Sequence, residues 1–250
     1  MKRPFVLIYG VIAYILFNLS FLYMLGFLQA LFVPKAINDG PQISAPYAAL
    51  INVGLIFLFG FFHSLMARQW FKDWWTRIIP KAAERSTYVL QSALFLGLAM
   101  WLWQPMPTTL WSVGGGLAAM TYAVFVLGVV MVLLSTFLID HFDFFGLRQI
   151  WCANRERPIP KPEFRTPFLY RIVRHPMQLG IIMVFFGTPL MTAGHMLFAL
   201  SMTAYVLIGL WFEERALLRE FGDAYRDYQN RVPMLIPGLG GIFRGQPQSH

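Results

Sequence analysis

Charge is scarce in this chain and cysteine is almost missing. Cys152 is its only cysteine in 250 residues, which excludes an intrachain disulfide and a multi-cysteine metal centre. Asp, Glu, Lys and Arg together make up 13% of the sequence, against roughly 25% in a soluble domain. Hydrophobic residues reach 57% and aromatics 17%, so a water-soluble globule is excluded. The scarcer sign is negative, with 12 acidic residues against 20 basic and a net charge of +8. On a soluble domain that balance would point to nucleic acid. Here the basic residues sit in short loops between apolar runs, as in the cytosolic loops of membrane proteins, and no nucleic-acid partner is expected. No internal repeat is visible. The first apolar run lacks an early small-residue cleavage site and reads as a retained span.

What is present is a series of long apolar segments. A spanning helix needs about 20 mostly apolar residues. Four segments are read as spans: Phe5 to Val33, stopped by Pro34; Tyr47 to Met66; Tyr88 to Trp103; and Gly116 to Ile139, which exits at Asp140-His141. Trp70, Trp74, Trp75, Trp101, Trp103 and Trp111 cluster near their ends, where indole rings favour the headgroup layer. A fifth apolar region, Leu179 to Phe212, is interrupted by Thr188-Pro189 and by Thr192-Ala193-Gly194-His195. Pro and Gly there favour a break. Two helices of about 10 and 17 residues are expected, the first too short to span upright, so the region reads as a hairpin.

Basic residues set the orientation. Lys2 and Arg3 open the chain. Arg68, Lys72, Arg77, Lys81 and Arg85 follow the second segment, Arg148, Arg155, Arg157, Lys161, Arg165, Arg171 and Arg174 follow the fourth, and Arg215, Arg219, Arg226, Arg231 and Arg244 lie beyond the hairpin. The alternate loops carry Lys35 and Asp39, or no charge at all between Gln104 and Gly115. Both termini are therefore predicted to be cytosolic. The expected architecture is an all-α polytopic membrane protein, with four transmembrane helices, a C-terminal helical hairpin and a cytosolic C-terminal helix. Residues 155–167 read as a Pro-rich loop and residues 238–250 as a flexible tail.

Two stretches concentrate groups able to do chemistry, and both are predicted on the cytosolic side. One is Tyr170-Arg171-Ile172-Val173-Arg174-His175-Pro176-Met177-Gln178-Leu179-Gly180; the other begins Glu213-Glu214 and runs through Phe221-Gly222 to Tyr225 and Tyr228, then Val232-Pro233 and Pro237. Pro176 suits the first turn of a helix. A hairpin brings its two ends together, so Arg174 and His175 are expected beside Glu213 and Glu214. Such a cup suits a zwitterion, with Arg for a carboxylate and Glu for an ammonium or ribose hydroxyls. The alternative reading is that these charges only anchor helix ends at the headgroups.

The combined pattern resembles the isoprenylcysteine carboxyl methyltransferase and phospholipid methyltransferase superfamily over about the last 80 residues of the chain. The resemblance implies S-adenosylmethionine as cofactor, leaving as S-adenosylhomocysteine. It makes Arg174, His175, Gly180, Glu213 and Glu214 cofactor candidates, with Tyr170 close by. Gln178 stands where many members have Tyr, so an amide replaces a phenol. Residues 139–149, IDHFDFFGLRQ, and residues 188–195, TPLMTAGH, are similar to the bacterial methanethiol S-methyltransferases, which convert methanethiol to dimethyl sulfide. That narrower resemblance implies a small thiol partner and a bacterial inner membrane. It divides the chain into membrane helices (1–140), a cofactor-binding region (141–237) and the tail.

Methyl transfer to a thiol needs orientation and removal of a proton. A Cys thiol has a pKa of about 8.5, and a base near neutrality would help. His141, flanked by Asp140 and Asp143, is one candidate; its other reading is a helix-end cation. His63, one turn from the end of its segment, is the second; its other reading is a histidine hydrogen-bonded between helices. Arg148 and Gln149 are candidates for closing the substrate pocket, or anchors at the membrane surface. No metal is expected. Other readings stay open: a prenylated cysteine carboxylate or a phospholipid amine as methyl acceptor, or a small-molecule transporter that keeps a methyltransferase-like hairpin.

Overall fold

The computed structural model describes residues 3–158 and 164–238. Lys2, Lys161, Arg244 and the expected tail beyond Gly238 lie outside them. Ten α-helices are formed among the described residues: α1 (Arg3–Gln29), α2 (Ala45–Met66), α3 (Gln69–Trp75), α4 (Glu84–Leu102), α5 (Gly115–Ile139), α6 (His141–Phe144), α7 (Leu147–Asn154), α8 (Pro176–Phe186), α9 (Ala193–Phe221) and α10 (Asp223–Arg231). Four of them, α1, α2, α5 and α9, are long and apolar enough to cross a bilayer. Their outer faces expose Phe5, Ile8, Ile12, Leu117, Met120, Val126 and Ile208. A continuous apolar surface of this kind is suited to lipid and not to water. The protein is a multi-pass membrane protein.

Polar contacts fix how the helices run. Tyr9 at the start of α1 donates to Thr87 at the start of α4 (2.9 Å), and Lys35 beyond α1 reaches the Trp103 carbonyl beyond α4 (2.9 Å); the two helices are parallel. Asn52 near the start of α2 donates to the Gln104 carbonyl (2.8 Å), so α2 is antiparallel to α4. At one end of the bundle lie the starts of α1, α4 and α8 and the ends of α2 and α5. The opposite end is closed by a two-stranded ribbon, β1 (Thr109–Ser112) with β2 (Leu190–Thr192), antiparallel with Thr109 opposite Thr192.

The hairpin is formed by α8 and α9 with β2 at its tip. Thr192 caps α9 by accepting from the His195 amide (3.3 Å), and His195 Nε2 bonds the Phe185 carbonyl across the turn (2.9 Å). At 11 residues, α8 is about 16 Å long, well short of a hydrocarbon core of about 30 Å. It packs on α5 backbone to backbone: a Cβ on Gly180 would meet the Gly128 carbonyl at 2.7 Å, and one on Gly128 the Gly180 carbonyl at 2.6 Å. Gly180 is thus required by helix packing, the close approach that small residues allow in membranes.

Two expected boundaries move. The second hairpin arm is 29 residues long instead of about 17, because Glu213 to Phe221 contains good helix formers and no breaker until Gly222, at φ +56°. The first span ends at Gln29, where Ala30 turns left-handed (φ 54°) and Leu31 N–H bonds the Gly26 carbonyl (3.0 Å). The segment read as the third span becomes α4; its Glu84, Arg85 and Gln91 leave it less apolar than the four long helices.

Candidate functional site

The site is built where the two hairpin ends meet. His175 precedes Pro176, whose ring disfavours the helical region for its neighbour, and is held at φ −126°, ψ 66°. That exposes the main chain of Arg174 and His175. The Arg174 N–H donates to the Pro233 carbonyl (2.9 Å) and the His175 N–H to that of Met234 (3.1 Å). The chain after α10 is thereby strapped along the start of α8.

Glu214 is the hub. Arg174 binds it in bidentate fashion, Nε to Oε1 at 2.9 Å and Nη2 to Oε2 at 3.0 Å. His175 Nε2 donates to Oε1 at 2.5 Å, the Tyr225 hydroxyl to Oε1 at 2.8 Å, and Gln229 Nε2 to Oε2 at 2.5 Å. A carboxylate offers about four lone-pair sites, and five donors fill them. Arg174 Nη1 serves the carbonyls of Gln229 (3.1 Å) and Val232 (2.6 Å). The side chains of Arg174 and Glu214 are 11% and 12% exposed, so the two compensate each other's charge away from water. Burial pushes the Tyr225 phenol up, and the Glu214 carboxylate beside it adds to that. Tyr228 donates to the Tyr170 carbonyl (2.5 Å); burial raises its pKa to about 12 against the lowering pull of Arg174.

Glu213 differs. Its side chain stays 47% exposed. Its nearest polar neighbours are Gln178 Nε2, at a long 3.4 Å, and His175 Nδ1, at 4.0 Å. The carboxylate also stands within electrostatic reach of Tyr88, Tyr170 and Arg85. Tyr170 is buried, which raises its phenol, and Glu213 raises it further.

The two histidine candidates are held by one bonding pattern at different places. His63 on α2 bonds Ser92 Oγ through Nδ1 (2.8 Å) and the Tyr88 hydroxyl through Nε2, both on α4. His141 bonds Thr136 Oγ1 through Nδ1 (2.9 Å) and the Tyr14 hydroxyl through Nε2 (2.9 Å). Its ring stacks on Phe137 (centroids 4.1 Å apart, 4° between planes) and meets Phe142 and Phe145 edge-on. Burial lowers its pKa, with Asp140 opposing. None of these contacts joins His141 to Arg174, His175, Glu213 or Glu214.

Arg148 pairs with Asp140, and Gln149 Nε2 donates to the Asp143 side chain and carbonyl at 3.2 Å. Burial raises the Asp143 carboxyl, and Asp140 adds to this. Gln149 and Asp143, with Lys72, Glu84, Arg85, Asp140 and the apolar Ile139 and Phe144, line a cavity of about 310 Å³. Arg85 joins that cavity to the interior: its Nε donates to the Phe144 carbonyl (2.8 Å) and its guanidinium lies 5.0 Å from the Tyr88 ring.

Sequence reasoning gave no site role to Tyr88, Arg85 or Gln229, and placed Tyr225 in the motif without a partner. Signals for two pairs were present. Tyr88 and Ser92, and again Tyr225 and Gln229, are polar residues four apart, hence on one helix face.

Comparison with known proteins agrees with this geometry. The phospholipid methyltransferase family profile matches residues 117–224, which span α5, the hairpin and the Glu213-Glu214 pair. Methanethiol S-methyltransferase 2 of Bradyrhizobium diazoefficiens is 50% identical over 95% of this chain and 92% of its own. The methanethiol S-methyltransferase of Crocosphaera subtropica is 46% identical over 96% and 94%. That of Mycobacterium tuberculosis is 46% identical over 95% and 98%. No solved structure gives a significant match. Identity at this level across nearly the whole of each chain, with the matched profile covering the hairpin, makes the protein an integral-membrane methyltransferase that belongs to the methanethiol S-methyltransferase family.

Proposed function

We propose that the protein transfers a methyl group from S-adenosylmethionine to the sulfur of methanethiol, giving dimethyl sulfide, at the Glu213 end of the α8–α9 hairpin. The observation that carries this reading is the split within the carboxylate pair. Glu214 is filled by internal donors, while Glu213 stays half exposed, with only the long Gln178 contact at 3.4 Å and His175 Nδ1 at 4.0 Å. An open carboxylate against apolar helices is an anionic seat for a cationic ligand, and a sulfonium with an ammonium group fits it. The methyl donor, when bound, supplies an electrophilic methyl carbon.

The chain's own residues then have separable tasks. Glu213, Gln178 and His175 Nδ1 face the donor, and Tyr170 lines its seat. Arg174 and Glu214 are positioning residues: their mutual pairing holds the start of α8, the end of α9 and the strap after α10 in one arrangement. Arg174 is thereby unavailable for the donor's carboxylate, a departure from the zwitterion cup expected from sequence. Arg85 and Lys72, which line the neighbouring cavity, are cations that could take that carboxylate. Holding both reactants in register accounts for roughly 7–11 kcal/mol of a bimolecular barrier, and a thiol as small as methanethiol needs no lateral lipid opening.

The test is direct. Purified protein, S-adenosylmethionine and methanethiol should yield dimethyl sulfide in the headspace, with no methylation of a phospholipid amine or a prenylated cysteine carboxylate. Methylation of either lipid acceptor in place of methanethiol would transfer the reading to that acceptor. Absence of S-adenosylhomocysteine binding by calorimetry would favour the transporter.

A further inference from the structure

We propose that Tyr88 and His63 form the proton path that ionises the acceptor thiol, with the Tyr88 oxygen as the group that meets the sulfur. The proposal rests on the methyl-transfer reading above. The Ser92 hydroxyl donates to the Tyr88 carbonyl (2.8 Å), so its oxygen is left to accept from His63 Nδ1–H (2.8 Å). That fixes the tautomer. His63 Nε2 is then bare and takes the Tyr88 hydroxyl proton. The Tyr88 oxygen, its own hydrogen committed to His63, presents lone pairs to whatever lies beyond it.

The surroundings say what that is. Arg85 and Glu84 on α4, and Tyr205 and Glu213 on α9, are the titratable and charged groups facing the pair. Tyr205 meets His63 edge-on, with centroids 6.1 Å apart. Tyr88 thus stands within electrostatic reach of the carboxylate of Glu213, a residue of the same helix as the Tyr205 that packs on His63.

As the S–H bond breaks, its proton passes to the Tyr88 oxygen while the Tyr88 proton passes to His63 Nε2. The sulfur is left as thiolate, whose electron pair attacks the sulfonium methyl carbon while the methyl C–S⁺ bond breaks and its pair stays on the donor sulfur, leaving dimethyl sulfide and S-adenosylhomocysteine. His63 becomes an imidazolium with Nδ1–H still on Ser92. It returns the proton through Tyr88 to water after product leaves.

The test combines two thiols and two variants. Tyr88→Phe and His63→Gln should each slow methylation of methanethiol about a hundredfold, the lower range for a positioned base. Both should recover most of the rate with 2,2,2-trifluoroethanethiol, an acidic thiol that ionises unaided, and both should bind S-adenosylhomocysteine within threefold of the unaltered protein. Wild-type rates in both variants, or equal losses with both thiols while cofactor-product binding is intact, would overturn the proposal. Should either variant fail to fold, imidazole ¹⁵N resonances of the unaltered, cofactor-free protein decide. An Nδ1–H tautomer with a hydrogen-bonded Nε2 is expected, and an Nε2–H tautomer overturns it. Failure of the methyl-transfer reading is distinguishable, because the unaltered protein would then methylate neither thiol.

Discussion

Two polar regions lie side by side at the basic end of this bundle, and they differ in one respect. Around Glu214 the acceptor is filled: Arg174, His175, Tyr225 and Gln229 all converge on one carboxylate. Around Glu213 the valences are open, and Gln178 gives only a 3.4 Å contact. The residues are neighbours in sequence, about 100° apart on the helix, and this angle separates the filled carboxylate from the open one. The histidines repeat the contrast. His63 and His141 share a tyrosine on one ring nitrogen and a hydroxyl on the other. Both rings are packed by aromatics, His141 by Phe137, Phe142 and Phe145 and His63 by Phe59, Tyr88 and Tyr205, but it is the tyrosine of His63 that stands within electrostatic reach of Glu213.

The largest effect should come from breaking the filled region. Glu214→Ala leaves the Arg174 charge buried without its partner, a loss of about 3–5 kcal/mol, read as a lower thermal midpoint in detergent. A wild-type midpoint would mean that the cluster carries no load. Tyr225→Phe removes one of the five bonds and should cost about 1.5–3 kcal/mol, the range for a hydrogen bond to a charged group, with donor affinity unchanged. The smallest effect concerns pH and the closed histidine. Burial lowers the pKa of His141 below its ordinary value, so the folded state binds its proton less readily than the unfolded chain. Its contribution is complete above about pH 6.5 and is lost as pH falls through the lowered value. Thermal midpoints measured from pH 7.5 down to pH 5 should fall less steeply in His141→Gln than in the unaltered protein. Parallel curves would place His141 in open solvent.

Much of the architecture was legible from hydropathy and breakers. The long apolar runs are helices, the hairpin turns at Pro189, and Arg174 and His175 do meet the Glu213-Glu214 pair. Two things were not legible, for physical reasons. A pattern of charges states which groups are near each other but not which are already paired, so Arg174 read as a carboxylate binder when its fork is closed on Glu214. Polar residues in apolar helices are equally mute about direction: His141, beside two aspartates in sequence, and His63 both read as candidate bases, and the sequence does not say that Tyr14 and Tyr88 are their partners in space. The extent of α9 was hidden too, because the charged residues after Phe212 read as a boundary, although helix propensity continues to Gly222.

The most direct measurement is calorimetry of S-adenosylmethionine with the unaltered protein and with Glu213→Gln, each checked for its thermal midpoint. Loss of a charge-assisted contact worth about 1.5–3 kcal/mol should weaken binding about 10- to 100-fold and leave the midpoint unchanged. Equal affinity in the two proteins, or a midpoint that falls as it does in Glu214→Ala, would contradict the assignment of Glu213 as the open seat.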